Sequence, residues 1–446
     1  MTTTIDNIGA RNLNRCGSAV APFPADMVLT PLSRNPIRLE DATETAVLNR
    51  PLPIVRVPHD RAVPLVSIAV VTFDNLLFNR MCLESLLANT DYANYELLVV
   101  DNASTDGTPE YLRRLAASHP HVRLILNQVN VGFAAANNLA LRVASGDVLI
   151  LLNNDTIVPK GWVLGLVQYL QDEKIGLVGP TTNRLGNEAE IEAGYRTYGE
   201  FEEFAAGVAE RGGRGGFDID IGSMFCLAMR RKTFERLGAL DEQFGIGMFE
   251  DDDYSMRARA AGLCVVCAEN LFVHHFGGAS FGKLAASGEF GPLFHANRRR
   301  WEAKWGRPWQ GPSRRANPCY ENLKERISRV VRDATPAAAT ILVVSRGDEE
   351  LLNLLRADGR KADHFPQAPD GCYAGCYPAH SQAAITELEQ LRVAGGEFLV
   401  FPSTASWWLD HYRDFAAHLD RRYSRVVVEA DTCVIYALRE GGGSLV

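Results

Sequence analysis

The sequence has few of the features that mark membrane, secreted or nucleic-acid-binding proteins. Asp, Asn or Arg interrupts each apolar run of the 446 residues before it reaches the roughly 20 residues of a membrane-spanning helix. The net charge of −8 and the pI near 5.8 exclude a broad basic surface for nucleic acid. Residues 1–7 carry neither a basic leader nor an apolar segment, so we expect no signal peptide.

Cysteine is scarce and scattered, with nine residues that favour a reducing compartment over a disulfide framework. Cys264 and Cys267 have C-x-x-C spacing, but they lie in a predicted strand, where side chains three positions apart point to opposite faces. Cys372 and Cys376 lack a second Cys or His pair at zinc spacing. We therefore expect free, mostly buried thiols in a cytoplasmic protein, with a location at the inner face of the membrane left open.

The composition changes along the chain and predicts four segments. Residues 1–62 are rich in proline without sustained periodicity, which predicts an extended arm that wraps the next domain. Strand and helix patterns alternate over residues 63–310, which predicts a mostly parallel central sheet flanked by helices. A stretch containing Pro and Arg, residues 311–338, is predicted as a linker, and residues 339–446 as a small accessory α/β domain.

Polar residues end two predicted strands abruptly. The apolar run 148–152 predicts a strand buried on both faces, and it stops at Asn153, Asn154 and Asp155. Residues 95–100 predict a second strand that ends at Asp101. Because ligands bind at the carboxyl ends of parallel strands, these oxygens predict one crevice with an Mg²⁺ or Mn²⁺ site. The alternative interpretation is that Asn and Asp end the strands through local hydrogen bonds.

Acidic and histidine patterns follow later in the chain. Four acids, residues 250–253, open a predicted helix, where carboxylates are favoured electrostatically and Asp253 can pair with Arg257. This structural explanation covers two or three of the acids without requiring all four. His274 and His275 end a predicted strand, and adjacent strand residues face opposite ways, so we expect one of them to face the crevice. The alternative for either is a core histidine bonded to backbone.

Residues 64 to about 310 resemble the glycosyltransferases of family 2, which have the GT-A fold. The resemblance rests on six short segments in the family's order and spacing. They are residues 70–75, 99–108, 130–137, 152–156, 249–253 and 275–281. The fold class it implies is α/β, with a GT-A nucleotide-sugar-binding fold followed by the small C-terminal α/β domain.

The resemblance implies inverting transfer of a sugar from a nucleotide sugar to an acceptor hydroxyl. It implies a UDP- or dTDP-sugar more often than a GDP-sugar, a divalent metal (Mn²⁺ or Mg²⁺), and a glycan or lipid-linked acceptor in surface polysaccharide synthesis. Peripheral membrane association and the oligomeric state are left open. A nucleotidyltransferase would need a Gly-rich, basic loop after the first strand, which residues 72–75 do not form. The remaining alternative is a catalytically silent nucleotide-sugar-binding or scaffolding protein, because the family's D-x-D motif here lacks its first carboxylate.

The resemblance assigns roles to individual residues of this sequence. Asp251 is the expected catalytic base, and Asp155 and His275 are the expected metal ligands. Asp101 is suited to accept a hydrogen bond from a pyrimidine N3–H, and Phe73 offers a ring to the base or ribose. The expected donor-binding residues are Thr72, Phe73, Asp101, Asn137, Asn153 and Asn154.

Overall fold

The computed structural model describes most of the chain. The described residues are 21–34, 37–55, 57, 60–211, 215–279, 284, 287–311, 318–345, 347–357, 359–368, 371–374, 377–378 and 380–439. The chain divides into two compact units, residues 1–280 with 297–315 and residues 281–296 with 316–446. Each unit has its own sheet and its own apolar core.

The first unit is built on a mixed eight-stranded sheet. Its strands are β1 (Val66–Thr72), β2 (Tyr95–Asp101), β3 (Val122–Leu126), β4 (Val148–Asn153), β5 (Ile175–Thr181), β6 (Gly216–Asp218), β7 (Cys226–Arg230) and β8 (Cys264–Phe272). The spatial order is β3-β2-β1-β4-β7-β5-β8-β6. Strands β1 to β4 are parallel, and β7 lies antiparallel between β4 and β5. The predicted mostly parallel α/β sheet is confirmed.

Alternate residues of the central strands point into two separate cores, one on each face of the sheet. Both faces are therefore covered by helices. Ile150 and Leu152 of β4 pack in one core, and Leu149 and Leu151 pack in the other. The run 148–152 is at most 5% exposed, so the predicted doubly buried strand is confirmed. The α-helices of the first unit are Asp41–Leu48, Leu76–Asn89, Thr108–Ser118, Phe133–Val143, Trp162–Tyr169, Tyr198–Arg211, Arg231–Leu237 and Glu250–Ala260. The helix Phe290–Trp305 begins among residues of the second unit and ends among those of the first.

The N-terminal segment is more ordered than the extended arm that we predicted. It contains the helix Asp41–Leu48, whose Val47 is fully buried. Phe23 and Met27 share a core with Phe201 of the helix Tyr198–Arg211. The prediction missed this helix because eight residues give too short a window for a periodic signal. Residues 1–20 of the predicted arm lie outside the described residues.

The predicted linker also contains a helix, Pro318–Ala334. Leu323, Ile327 and Val331 recur at four-residue intervals and are buried against Ile341 in the core of the second unit. The Pro and Arg content suggested a linker, whereas this helical spacing was the informative signal. Residues 312–317, also in the predicted linker, lie outside the described part of the chain.

The second unit contains a five-stranded sheet that matches the predicted small α/β domain. Its strands are β9 (Thr340–Val343), β10 (Lys361–His364), β11 (Phe398–Pro402), β12 (Ser424–Glu429) and β13 (Cys433–Ala437), in the order β10-β9-β11-β13-β12. Strand β9 is parallel to β10 and β11, and β12 and β13 form an antiparallel hairpin. The further helices of this unit are Glu349–Arg356, Ser381–Val393, Trp407–His411 and Arg413–Arg422.

The cysteines agree with the expectation of free thiols wherever their side chains are described. These free cysteines are Cys82, Cys226, Cys264, Cys267, Cys372 and Cys433, and Cys376 lies outside the described residues. Among the helices that the structure describes, none is both long enough and apolar enough to cross a membrane.

Candidate functional site

Asp155 directly follows strand β4 and lies beside a histidine from a distant part of the chain. Just beyond β4, Thr156–Ile157 pairs in antiparallel fashion with His274–His275. This pairing places Asp155 Oδ1 3.3 Å from His275 Nε2, and both side chains are at most 10% exposed. Asp155 Oδ2 also accepts the Ala279 N–H at 3.2 Å. The structure therefore brings together the two residues predicted as metal ligands.

The surroundings of His275 determine which ring nitrogen faces Asp155 with a lone pair. His275 Nδ1 lies 2.9 Å from the carbonyl oxygen of Arg184, which can only accept, so Nδ1 carries the hydrogen. In the neutral ring, Nε2 then presents its lone pair to a carboxylate oxygen. Two acceptors at this distance are stabilised by a proton or a cation between them. A carbonyl that fixes the opposite ring nitrogen is also the usual support of a metal-binding histidine.

The charge balance at Asp155 favours the ionised form. Burial alone raises its pKa, but the electrostatic attraction and hydrogen bond of His275 and the N–H of Ala279 outweigh it, so the pKa lies below its ordinary value. The hydrogen bond in this balance requires a proton on His275 Nε2. A cation that took the place of that proton would meet an ionised carboxylate and an imidazole nitrogen, which suit Mn²⁺ or Mg²⁺ shared with substrate phosphates. No group of three or more His, Cys, Asp or Glu side chains suited to a metal occurs among the residues that the structure describes.

His274 differs from His275 as strand alternation predicts. Its Nδ1 lies 2.5 Å from the Tyr195 hydroxyl, and its ring packs against Phe201 and Phe276. The core-histidine interpretation therefore fits His274. His275 is also buried and its Nδ1 bonds to a backbone carbonyl, so its orientation toward the crevice stays a prediction that rests on its pairing with Asp155.

The two asparagines before Asp155 have different surroundings. Asn154 is buried and donates to Asn79 Oδ1 at 2.6 Å, which ties the end of β4 to the helix Leu76–Asn89. Asn153 is half-buried, and its side-chain amide has no hydrogen-bond partner among the described residues. Donor binding by both residues stays a prediction, and Asn153 has the amide that remains available for it.

At the ends of β1 and β2, Thr72 and Asp101 are buried and bonded to each other. Thr72 Oγ1 donates to Asp101 Oδ1 at 2.9 Å. Asp101 also accepts the Ser104 hydroxyl at 2.5 Å and the Ser104 N–H at 3.1 Å. The two contacts with Ser104 are those of a local turn, which is the alternative interpretation for Asp101. A hydrogen bond from a pyrimidine N3–H would need a further lone pair on the carboxylate of Asp101, beyond those that accept from Thr72 and Ser104. This contact stays a prediction.

Phe73 follows Thr72 and is 36% exposed, so its ring is available to a base or ribose as predicted. The next residues, Asp74 and Asn75, have left-handed φ angles of 48° and 63°. Asp74 holds this turn, because its carboxylate accepts the Thr105 N–H at 2.7 Å. Asn137 is 2% exposed and donates to the Phe133 carbonyl in its own helix, so its contact with ribose or phosphate stays a prediction.

The contacts of the four acids that open the helix Glu250–Ala260 separate their roles. Asp253 is fully buried and pairs with Arg257 at 2.9 Å and Lys304 at 2.6 Å, which makes it structural. Asp252 accepts the Trp309 indole N–H at 2.6 Å. Asp251 instead accepts the Ser223 hydroxyl at 2.9 Å and the Met224 N–H at 3.3 Å.

Asp251 also lies near the predicted metal ligands, because Phe225, next to the Met224 that donates to Asp251, stacks on the His275 ring. Burial raises its pKa to about 6, while bonds from Ser223 and Met224 and the nearby charge of His275 act to lower it. His275 thus interacts electrostatically with both Asp155 and Asp251. A carboxyl group that titrates near neutral pH is suited to take a proton from a hydroxyl.

Glu250, the first of the four acids, is buried and has no ion-pair partner among the described residues. It is 6% exposed, and burial followed by the charge of Asp251 raises its pKa to about 8. We expect the folded protein to hold Glu250 protonated at neutral pH, whereas the unfolded chain releases that proton above its ordinary pKa near 4.5.

We therefore expect Glu250→Gln to stabilise the protein increasingly as pH rises. Between about 4.5 and 8 the native wild type retains a proton that the unfolded state has lost, so its free energy of unfolding falls by up to roughly 1.4 kcal/mol per pH unit. Gln mimics the neutral acid and removes this dependence. Urea unfolding of both proteins from pH 5 to pH 9 should show curves that diverge with pH. Parallel curves would contradict a buried, protonated Glu250.

A strained segment, residues 245–249, leads into the acidic helix. Met248 and Phe249 have φ angles of 80° and 75°, which are unfavourable for residues with side chains. Asn297 is fully buried and donates to the carbonyls of Phe244 at 2.7 Å and Gly247 at 2.8 Å. This amide holds the segment in place and so positions the start of the helix.

Replacing this amide should loosen the segment. We expect Asn297→Ala to lower the free energy of unfolding by roughly 2–4 kcal/mol, because two buried carbonyls lose their donor. Turnover should fall as well, because the helix that carries Asp251 begins directly after this segment and would be positioned less firmly. Urea unfolding and initial rates measure both effects, with exposed Arg299→Ala of the same helix as control. Equal free energies of unfolding for the two variants would show that the hydrogen bonds of Asn297 do not stabilise the segment.

Several residues of the site were missed in the sequence. Ser223 and Met224 hold Asp251, Arg184 and Asn183 hold His275, and Asn297 holds the strained segment. They act through backbone groups or lie far from their partners in sequence, so no local spacing marks them. In the sequence, Gly245 and Gly247 just before the acids are the one feature that indicates special backbone geometry there.

Comparison with known proteins gives a family for part of the chain. Residues 67–238 match the family model described as glycosyl transferase family 2. The O-antigen biosynthesis protein RfbC of Myxococcus xanthus is 31% identical over 286 residues, which are 60% of this chain and 22% of that protein. The hyaluronan synthase of Pasteurella multocida is 29% identical over 144 residues, 32% of this chain and 15% of that protein. The chain thus spans less than a quarter of these relatives.

Solved structures with similar coordinates include a mannosyltransferase from Pyrobaculum calidifontis in complex with GDP-Man and Mn²⁺. It has a TM-score of 0.38 and 20% identity, with coverage of 78% of this chain and 80% of that chain. GalNAc-T7 with UDP, GalNAc and Mn²⁺ has a TM-score of 0.39 and 17% identity, with coverage of 48% of this chain and 44% of that chain.

Proposed function

We propose that the domain containing residues 67–238, which match the family model described as glycosyl transferase family 2, transfers a sugar from a nucleoside-diphosphate donor to an acceptor hydroxyl with inversion. The observation that carries the proposal is the grouping of Asp155, His275 and Asp251. Asp155 pairs with His275. Asp251 accepts hydrogen bonds from Ser223 and Met224, and the ring of the next residue, Phe225, stacks on the His275 ring at 5.0 Å. One site thus contains a ligand pair for a cation and a carboxylate that is poised to take a proton.

The residues of the chain divide the work between the two substrates. Phe73, Asp101 and Asn153 take the nucleotide part of a UDP- or dTDP-sugar, and Asp155 with His275 would hold Mn²⁺ or Mg²⁺. Such a cation, when bound, neutralises the charge that develops on the leaving diphosphate. Asp251 accepts the proton of the acceptor hydroxyl as its oxygen approaches the anomeric carbon opposite the diphosphate. Ser223 and Met224 keep the carboxylate in position.

We further propose a role in polysaccharide assembly with a glycan or lipid-linked acceptor. The names of two relatives, an O-antigen biosynthesis protein and a hyaluronan synthase, support this class of product. A cytoplasmic location, at the inner face of the membrane for a lipid-linked acceptor, is part of the same proposal.

Donor turnover tests the proposal directly. The full chain is incubated with UDP-, dTDP- and GDP-sugars, and nucleoside diphosphate release is followed with Mn²⁺ and with EDTA. We expect slow, metal-dependent release from one donor, and a released sugar whose first-formed anomer is inverted by NMR. Nucleotide binding without release from any donor, also after addition of simple sugar acceptors, would favour the catalytically silent alternative.

A further inference from the structure

Three side chains of the second unit form a continuous hydrogen-bonded chain. Ser345 lies just beyond β9, His364 ends β10, and Glu349 opens the helix Glu349–Arg356. Ser345 Oγ is 2.6 Å from His364 Nδ1, and His364 Nε2 is 2.9 Å from Glu349 Oε2. Ser345 and His364 are 4% and 5% exposed, whereas the Glu349 side chain is 55% exposed.

The chemistry of these partners fixes the direction of both hydrogen bonds. Burial lowers the pKa of His364, although the carboxylate of Glu349 acts to raise it, so the ring is neutral at pH 7. A neutral ring carries one hydrogen, and the carboxylate can only accept, so that hydrogen is on Nε2. Nδ1 therefore accepts from the Ser345 hydroxyl. This is the order of a serine, a base and an acid that orients the base.

The position of the three residues in the fold is one where ligands bind. Strands β10 and β11 flank β9 on opposite sides, and all three are parallel. The chain order therefore reverses at β9, and Ser345 and His364 lie at the carboxyl ends of the strands beside this reversal. Gly347 donates its N–H to Ser345 Oγ at 3.3 Å. Its lack of a Cβ lets the ring of Tyr373 approach, because a Cβ there would lie 3.0 Å from Tyr373 Cδ1.

We propose that Ser345, His364 and Glu349 form a second catalytic site, which hydrolyses small carboxylic esters. His364 Nδ1 takes the hydroxyl proton while Ser345 Oγ attacks the carbonyl carbon. The tetrahedral adduct then expels the alcohol oxygen, which takes the proton from His364 and leaves an acyl group on Ser345. Water, deprotonated by His364, attacks this acyl group, releasing the carboxylic acid and restoring the serine. Glu349 stabilises the ring while it carries the extra proton.

The surroundings of Ser345 indicate a small acyl group. The serine is almost fully buried, and the ring of Tyr373 lies 5.9 Å from that of His364. A purely structural clip between two strand ends is the competing explanation.

Covalent labelling of the full chain separates the two explanations. The protein is treated with a fluorophosphonate probe at pH 8 in EDTA, which excludes metal-dependent sugar transfer, and the modified peptide is identified by mass spectrometry. We expect one adduct, on Ser345, and hydrolysis of p-nitrophenyl acetate that the probe abolishes. Absence of an adduct on Ser345 in the folded wild type would overturn the proposal.

Variants then test the roles of the three residues. Ser345→Ala should lower ester hydrolysis at least about a hundredfold. Ser406→Ala, at an exposed serine directly before the helix Trp407–His411, should retain it. Glu349→Gln should lower the rate and shift its pH profile, which a structural clip would not do. Wild-type rates in Ser345→Ala, with circular dichroism unchanged, would contradict the assignment. None of these readouts depends on nucleotide or sugar transfer, so each proposal can fail alone.

Discussion

Asp251→Asn should lower sugar transfer roughly a hundredfold to ten-thousandfold, the usual contribution of a general base. A sugar hydroxyl does not ionise unaided at neutral pH, so a carboxylate must take its proton as the new bond forms. Asn retains an oxygen that can accept the hydrogen bonds of Ser223 and Met224, and therefore preserves the local geometry. Donor affinity should change little, because Asp251 acts on the acceptor side.

Asp252→Asn is the matched control for this experiment. Its carboxylate accepts from Trp309, so we expect turnover within a few-fold of wild type. Initial rates and calorimetric donor affinities of both variants are to be compared under identical conditions. Near-native turnover in Asp251→Asn together with a collapse in Asp252→Asn would move the base by one residue.

The same assignment predicts how the wild-type rate depends on pH. The base works only when ionised, and burial raises the pKa of Asp251 to about 6. Turnover at saturating donor should therefore rise as pH increases through about 6 and then level off. Asp251→Asn should lose this rise and leave a flat residual rate.

Asp155→Ala should abolish the metal-dependent part of nucleotide binding. The variant removes one of the two proposed protein ligands and leaves the His275 Nε2 without the carboxylate that faces it. Mutation of a residue that hydrogen-bonds to a metal ligand typically lowers metal affinity ten- to a hundredfold. Removal of the ligand itself should lower metal affinity by at least as much. We therefore expect the affinity for UDP in Mn²⁺ to fall to its value in EDTA.

Titration calorimetry of UDP with and without Mn²⁺ measures this loss. Asp172→Ala is the control, because it removes an exposed carboxylate near the start of β5, at the opposite end of the strands from Asp155. An unchanged effect of Mn²⁺ on UDP affinity in Asp155→Ala would show that the cation is held elsewhere.

Local sequence patterns were sufficient to predict the core of the first sheet. Strands β1, β2 and β4 are apolar runs that end in polar residues, and both features are readable without tertiary information. Strand β7 inserts antiparallel between β4 and β5, which no run of residues encodes, because strand direction depends on the path of the chain. The helix Pro318–Ala334 was not predicted, because the Pro and Arg content of this stretch is typical of a linker. Its apolar residues at helical spacing are the signal that indicates the helix.

In the candidate site, too, local patterns predict some features and long-range contacts determine the others. Asp155 and His275 were predicted from separate segments, and the structure brings them together. The sequence alone does not separate Asp251 from the other acids by physical chemistry. Their contacts with Ser223, Trp309 and Lys304 do so, and these partners lie 28 to 57 positions away or on another helix. Long-range contacts of this kind are what local patterns do not contain.

A thermal-shift panel on the full chain tests the central claim most directly. Melting temperatures are measured with UDP, dTDP and GDP, each with Mn²⁺ and with EDTA, because a ligand that binds only the native state raises the melting temperature. We predict that UDP or dTDP raises it in Mn²⁺ and that EDTA largely removes the shift. No shift with any of the three diphosphates in Mn²⁺ would contradict a nucleotide-sugar site at Asp155 and His275.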